Sequence, residues 1–253
     1  MSAEALYYLI YCWIGIAIAT HVLLYFVKAP FGRHTSKKWG PSINNKWGWF
    51  FMELPSLSIM VFFLVKSLRV PESFVWILFS LWIIHYFNRT FIYPLRIKNT
   101  EKKMPLFIVF NGIFFNVINA GTNGYFLAEI GPMLYTENWL FSPLFVVGLL
   151  FFVTGMSINL KSDNMLIGLR KKGETGYQIP RGFLFKYISS PNLFGEIIEW
   201  TGFAIMAWNL PALGFAVWTF ANLVPRALNH HDWYQSHFSD YPKDRKAVFP
   251  FIL

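Results

Sequence analysis

Seven apolar stretches, each close to the length of a membrane crossing, constrain this chain more than any other feature. A spanning helix needs about 20 mostly apolar residues, because the hydrocarbon core is about 30 Å thick and a helix rises about 1.5 Å per residue. Such stretches lie near residues 5–27, 47–66, 73–93, 105–127, 141–160, 192–208 and 211–225, the last two being the shortest and most polar. The composition fits: 14% of the 253 residues are charged and the mean hydropathy is +0.40, against about 25% charged in an average soluble domain. The first stretch lacks a basic leader and a small-residue cleavage site, so it is expected to be a retained anchor rather than a signal peptide. The expected fold class is all-α, a polytopic membrane protein of seven transmembrane helices in which residues 1–253 form a single domain.

Loop charges predict an orientation, because Lys and Arg are kept on the cytoplasmic side. Residues 1–4 hold no Lys or Arg, whereas 28–46 hold Lys28, Arg33, Lys37, Lys38 and Lys46. The next connection has Arg69 and Glu72, residues 94–104 hold Arg96, Lys98, Lys102 and Lys103, and 128–140 hold only Glu129 and Glu137. Six basic residues then fall in 161–191, none near 209–211, and Arg226, Lys243, Arg245 and Lys246 lie in the tail. Seven spans with the N-terminus outside and the C-terminus cytoplasmic satisfy every loop. The net charge of +9 is then a consequence of topology and gives no reason to expect nucleic-acid binding. A single cysteine, Cys12, excludes a disulfide within the chain.

Against this background the ionisable residues in or beside apolar helices stand out: Glu53, Tyr86, Arg89, Glu196, Glu199, Arg226, His230, His231 and Tyr234. A charge at membrane depth costs roughly 2.5–3.5 kcal/mol on insertion scales, so such residues mark a polar site. The basic segment 161–191, rich in Gly, Pro and Tyr, suits a loop that holds an anionic ligand, with Asn159 and Asp163 on one flank and Asn192, Glu196 and Glu199 on the other. Each residue also has a plainer reading. Glu53 suits a helix–helix hydrogen bond, Tyr86 an interfacial aromatic belt, Arg226 an anchor on anionic lipid, and the 161–191 loop a solvated cytoplasmic surface. His230, His231 and His237 have no ligand spacing, so no metal is expected. Neither GxGxxG nor GxxxxGK[ST] occurs, so a nucleotide, if bound, is held by another design.

The blocks ELPS (53–56), HYFNRTFIYP (85–94), NLKSD (159–163), LRKKGETGYQIPRG (169–182), SPNLFGEIIEWTGFA (190–204) and RALNHHDWYQSHFSDYPKDRKAVFPFIL (226–253) resemble the steroid 5-alpha-reductase family, the 3-oxo-5-alpha-steroid 4-dehydrogenases. The likeness runs in order from about residue 30 to the last. It implies a membrane enzyme that uses NADPH to reduce the 4,5 double bond of a 3-keto-4-ene steroid. By matched position it implies that Glu53 and Tyr86 contact the steroid 3-keto oxygen and that Asn159, Asp163, Arg170, Tyr177, Asn192, Glu196, Arg226, His230 and Tyr234 contact NADPH. Lys171 and Lys172, beside Arg170, add fixed positive charge for the cofactor's 2'-phosphate. Lys161 replaces a His common in the family, Lys172 replaces the Pro of its RKPG, and Asn111 stands near a position where one member has Arg. The resemblance is to a bacterial or other non-mammalian member; the departures leave the hydride chemistry in place and the lipid substrate, steroid or isoprenoid, undetermined.

Hydride arriving at the β carbon of a conjugated enone drives charge onto the carbonyl oxygen, and donors aimed there stabilise the transition state by about 10²–10³ in rate each. Tyr86 is such a donor. Glu53 is one when protonated, the form that an apolar helix favours. The hydride would go to C5 and a proton, from water or a relayed hydroxyl, to C4. Alternatives are a reductase of another lipid enone or enoyl thioester, a membrane methyltransferase of similar helical build, and a transporter; the last predicts internal repeats, which are not seen. The expected location is the inner membrane of a bacterium or the endoplasmic reticulum of a eukaryote.

Overall fold

In the computed structural model, residues 1–30, 32, 37–68, 74–98, 102–169 and 176–253 are described. The chain is mostly helical. Among the described residues five helical stretches are long and apolar enough to cross a membrane: Ala3–Phe26, Asn45–Ser67, Val75–Arg96, Leu106–Met133 and Pro143–Gly168. They correspond to the first five expected spans. The sixth and seventh also form helices, Pro191–Ala207 and Leu210–His237, but do not meet that standard of length and apolarity. The last helix passes through Pro225 and continues to His237. The polar block 226–237, expected beyond the final span, is therefore helical.

The helices are α1 (Ala3–Phe26), α2 (Asn45–Ser67), α3 (Val75–Phe87), α4 (Tyr93–Arg96), α5 (Leu106–Tyr125), α6 (Glu137–Leu140), α7 (Pro143–Gly168), α8 (Pro191–Ala207) and α9 (Leu210–His237). A two-stranded antiparallel sheet adds β1 (Ser42–Asn44) and β2 (Lys103–Pro105), with Ile43 opposite Met104, a feature the apolar periodicity does not announce. The chain divides into two compact units, Pro30–Val146 and Met1–Ala29 with Val147–Leu253.

In the first unit α2 packs against α5 and α3. Both α2 and α5 start directly after a strand of the β1–β2 pair, so their N-termini share one end of the unit. Their packing is close: a Cβ on Gly112 would lie 2.0 Å from Met52 Cγ. α3 passes through a π-helical turn, Asn88–Ile92, before α4. Such turns disturb the regular ladder and occur often at functional sites. Pro55 lies inside α2, where it removes the N–H that would meet the Phe51 carbonyl and its ring crowds the preceding turn.

In the second unit α9 packs along α1 and α8. Trp218 donates from Nε1 to the Trp13 carbonyl at 3.0 Å, and the two indoles lie 4.6 Å apart. α7 and α8 meet backbone to backbone because glycines recur every seven residues on both, Gly148 and Gly155 against Gly195 and Gly202. A Cβ on Gly155 would lie 2.3 Å from the Glu199 nitrogen, and one on Gly195 2.5 Å from the Asn159 nitrogen. Small residues at such contacts are the usual route to close helix pairing in membranes. Outward faces are strongly apolar, with Ile16, Leu23 and Phe26 of α1 and Leu150 and Val153 of α7 exposed. Lipid covers such faces at little cost; water does not.

Candidate active site

Glu53, Tyr86 and Asn116 bring three helices of the first unit to one point. Glu53 on α2 is 8% exposed, Tyr86 at the end of α3 is 4% and Asn116 on α5 is 3%. The Asn116 side chain donates from Nδ2 to the Met52 carbonyl at 2.7 Å and to Glu53 Oε2 at 3.2 Å. Tyr86 donates from its hydroxyl to Asn116 Oδ1 at 3.4 Å. The Tyr86 ring stacks on Trp82 with centroids 5.5 Å apart, and the Trp82 indole is tied through Nε1 to Ser56 Oγ at 3.0 Å. His85 packs edge-on against Tyr86. One turn further, Arg89 is buried with its guanidinium 4.6 Å from the Trp49 ring and 4.9 Å from that of Tyr93.

The site thus includes a residue that sequence reasoning missed. Asn116, Asn119 and Asn123 are all buried, and the spacings of three and seven place them on one face of α5. That face was the available signal, since an amide stripe in an otherwise apolar helix needs partners. Asn123 donates to the Asn119 carbonyl at 3.0 Å, while Asn119 Nδ2 is buried with no hydrogen-bond partner among the described residues. Asn111, singled out by its place in the resemblance, lies five residues before Asn116 at the exposed surface and donates to the Phe107 carbonyl at 2.7 Å.

The second unit gathers most of the expected cofactor residues. Asn159 on α7 is 2% exposed and donates to the Asn192 carbonyl at 3.0 Å; Asn192 on α8 donates in turn to Asp163 Oδ1 at 3.1 Å. The glycine contacts between α7 and α8 set this amide–carboxylate chain. Arg226, His230 and Tyr234 recur every four residues and so share one face of α9. Tyr234 is buried and stacks nearly parallel on Tyr241 at 5.3 Å. Tyr177 meets Trp233 edge-on at 5.0 Å. Glu196 is half-buried on α8 and makes no hydrogen bond or ion pair among the described residues. Arg170 and Lys171 lie outside the described residues.

The tail closes beside this group. Lys246 pairs with Ile188 and accepts from the Ser189 amide at 2.8 Å. The Ser189 hydroxyl donates to the Lys246 carbonyl at 3.0 Å and lies 2.6 Å from both His231 Nδ1 and the Tyr241 hydroxyl. His231 Nε2 lies 2.9 Å from the Gln235 side-chain nitrogen, so both imidazole nitrogens are engaged. Burial holds the His231 pKa below 6.5, opposed by Asp232 and aided by Arg245 and Lys246. Arg245 is 4% exposed, donates to the Pro180 carbonyl at 3.2 Å and stacks over Tyr241, while its Nε and Nη1 have no hydrogen-bond partner among the described residues. No group of three His, Cys, Asp or Glu side chains able to hold a metal ion occurs among the described residues.

Comparison with known proteins places these residues in context. Residues 102–253 match the family model described as 3-oxo-5-alpha-steroid 4-dehydrogenase. The chain is similar to steroid 5-alpha-reductase DET2 of Gossypium hirsutum, 45% identical over 94% of this chain and 93% of that one. It is also similar to 3-oxo-5-alpha-steroid 4-dehydrogenase 1 of Mus musculus, 37% identical over 94% of this chain and 93% of that one. The corresponding type 2 enzyme of Homo sapiens is 39% identical over 93% of each chain.

Proposed function

The chain belongs to the 3-oxo-5-alpha-steroid 4-dehydrogenase family, and from that premise we propose which residues carry the reaction and with which cofactor. The protein is an oxidoreductase of steroid metabolism that reduces the 4,5 double bond of a 3-keto-4-ene steroid. Its class implies a nicotinamide cofactor, here proposed to be NADPH, which supplies hydride to C5 when bound. The donors and acceptors along Asn159, Asp163 and Asn192 suit ribose hydroxyls and a carboxamide, and Nε and Nη1 of buried Arg245, which have no partner among the described residues, suit an anion, so the residues present fit a dinucleotide. Asn159, Asp163, Tyr177, Asn192, Glu196, Arg226, His230 and Tyr234 are the proposed contacts, with Arg170 and Lys171 at the 2'-phosphate.

The observation that carries the chemical reading is the convergence of Glu53 and Tyr86 on one buried amide. The phenol donates at neutral pH, and protonated Glu53 donates as well. Two donors fixed in a water-poor site stabilise the charge that reaches O3 as C5 is reduced, without reorganising during the reaction. C4 then takes a proton and the 5-alpha-3-keto steroid forms. Trp82, 0% exposed and stacked on Tyr86, provides the rigid apolar wall on that side.

The proposed topology is seven spans with the N-terminus outside and the C-terminus cytoplasmic, with residues 1–253 acting as one integral membrane reductase domain. The β1–β2 pairing supports it, because it joins the two basic stretches 28–46 and 94–104 that the charge rule assigns to one side. The proposed location is the inner membrane or the endoplasmic reticulum, according to the source, and membrane lipids are its surroundings. The test of function is turnover by detergent-purified protein of a 3-keto-4-ene steroid with NADPH. A 5-alpha product is expected. NADPH oxidation with an enoyl thioester and none with the steroid would favour the related lipid reductase instead.

A further inference from the structure

We infer that Asn116 is the positioning residue for the carbonyl-binding pair, its amide tying the Glu53 carboxyl and the Tyr86 hydroxyl to one point of α5. The inference rests on the reading of Glu53 and Tyr86 as the donors to O3. A backbone carbonyl only accepts, so the 2.7 Å contact with the Met52 carbonyl identifies Nδ2 and fixes the orientation of the whole amide. The second Nδ2 proton then goes to Glu53 Oε2 at 3.2 Å. Nδ2 thus ties the Glu53 carboxyl to the α2 backbone at Met52, which fixes where that side chain sits.

The opposite end of the amide acts on Tyr86. Oδ1, turned away from Met52, receives the phenol proton at 3.4 Å, well beyond the roughly 2.7–2.8 Å usual for a hydroxyl donor. The bond to Asn116 is therefore a weak one, which a ligand oxygen at ordinary distance replaces at little cost. Stacking on Trp82, itself tied to Ser56 at 3.0 Å, limits the movement to rotation of the O–H. Asn116 thus holds one donor by giving a proton and the other by receiving one. A carboxylate or a hydroxyl at this place has no such pair of N–H groups beside an acceptor.

The experiment compares Asn116→Ala and Asn116→Asp with the parent, measuring kcat and KM for a 3-keto-4-ene steroid, the pH profile of kcat, and NADPH affinity. Asn116→Ala is expected to lose about 10-fold or more in kcat, less than removal of a donor itself, with NADPH affinity unchanged. Asn116→Asp keeps the shape but replaces the N–H donors by a second carboxyl beside Glu53. Two carboxyls in contact hold one proton more tightly, so this variant should regain activity toward acid pH, on a limb the parent lacks. Parent-like kcat in Asn116→Ala, or a parent-like pH profile in Asn116→Asp, overturns the inference; should Asn116→Ala fail to fold, the near-isosteric Asp variant decides alone. Glu53→Ala and Tyr86→Phe are measured alongside. If both turn over steroid at the parent rate, the carbonyl-site reading itself is what fails; if both fall while Asn116→Ala does not, only the role of Asn116 is withdrawn.

Discussion

Gly155→Ala should separate α7 from α8 and weaken cofactor binding without touching the cofactor. The added Cβ would lie 2.3 Å from the Glu199 nitrogen, 2.5 Å from the Gly195 carbonyl oxygen and 2.7 Å from the Glu199 Cα. All three atoms are backbone, so no rotamer change relieves the overlap, and the helices must move apart by roughly 1 Å to restore normal contact. Overpacking of this kind costs about 1–3 kcal/mol. One turn along, Asn159 donates to the Asn192 carbonyl at 3.0 Å; a shift of roughly 1 Å takes that contact out of hydrogen-bonding range. The expected outcome is a lowered thermal midpoint in detergent together with a several-fold loss of NADPH affinity by fluorescence titration. Gly15→Ala is the control, since nothing lies within 4 Å of its Cβ position, and the better helix former should be neutral or stabilising by about 0.5–1 kcal/mol. A Gly155→Ala protein with parent stability and parent NADPH affinity would refute the close-packing argument.

Three further outcomes are expected. Asn192→Ala and Tyr234→Phe should each weaken NADPH by several-fold while the protein stays folded, as read by titration and by thermal melting; parent-like binding would make these residues structural. Neutralising Arg170 and Lys171 together should weaken NADPH more than NADH, since only the former carries a 2'-phosphate; equal losses would assign both bases to the membrane surface. His231 has a folded pKa below its unfolded 6.5, so the unfolded chain binds more protons between those values and stability falls as pH drops through about 6.5. Melting from pH 8 to pH 5 should show that decline, and His231→Gln should flatten it.

The apolar lengths made the helices legible, because a membrane leaves the backbone little other way to satisfy its polar groups. Charge also made Glu53 and Tyr86 legible, as polar groups in apolar surroundings. What joins them was not, because Asn116 follows Glu53 by 63 positions and depends on how α2 and α5 pack. The helical continuation beyond the last expected span was hidden for a different reason. Pro225 and the polar residues after it read as the exit from a span, yet α9 continues for twelve residues to His237 with Ala227 and Tyr234 buried. The Ser189–His231–Tyr241 knot was equally hidden, since it forms only when the tail folds back on residues 187–190. The β1–β2 pair falls in basic loops that carry no alternation of apolar residues.

The central claim is that Glu53 acts on the carbonyl oxygen as a hydrogen-bond donor, and single-turnover reduction of a 3-keto-4-ene steroid by NADPH-saturated Glu53→Ala, Glu53→Gln and Tyr86→Phe tests it directly. Glu53→Gln keeps an N–H donor and should retain part of the rate. Glu53→Ala and Tyr86→Phe should each lose about 10² or more, and the double variant less than the sum, since both act on one oxygen. NADPH affinity should be that of the parent in all of them. Reduction of the steroid by Glu53→Ala at the parent rate would contradict the account and leave Glu53 as a helix-packing residue.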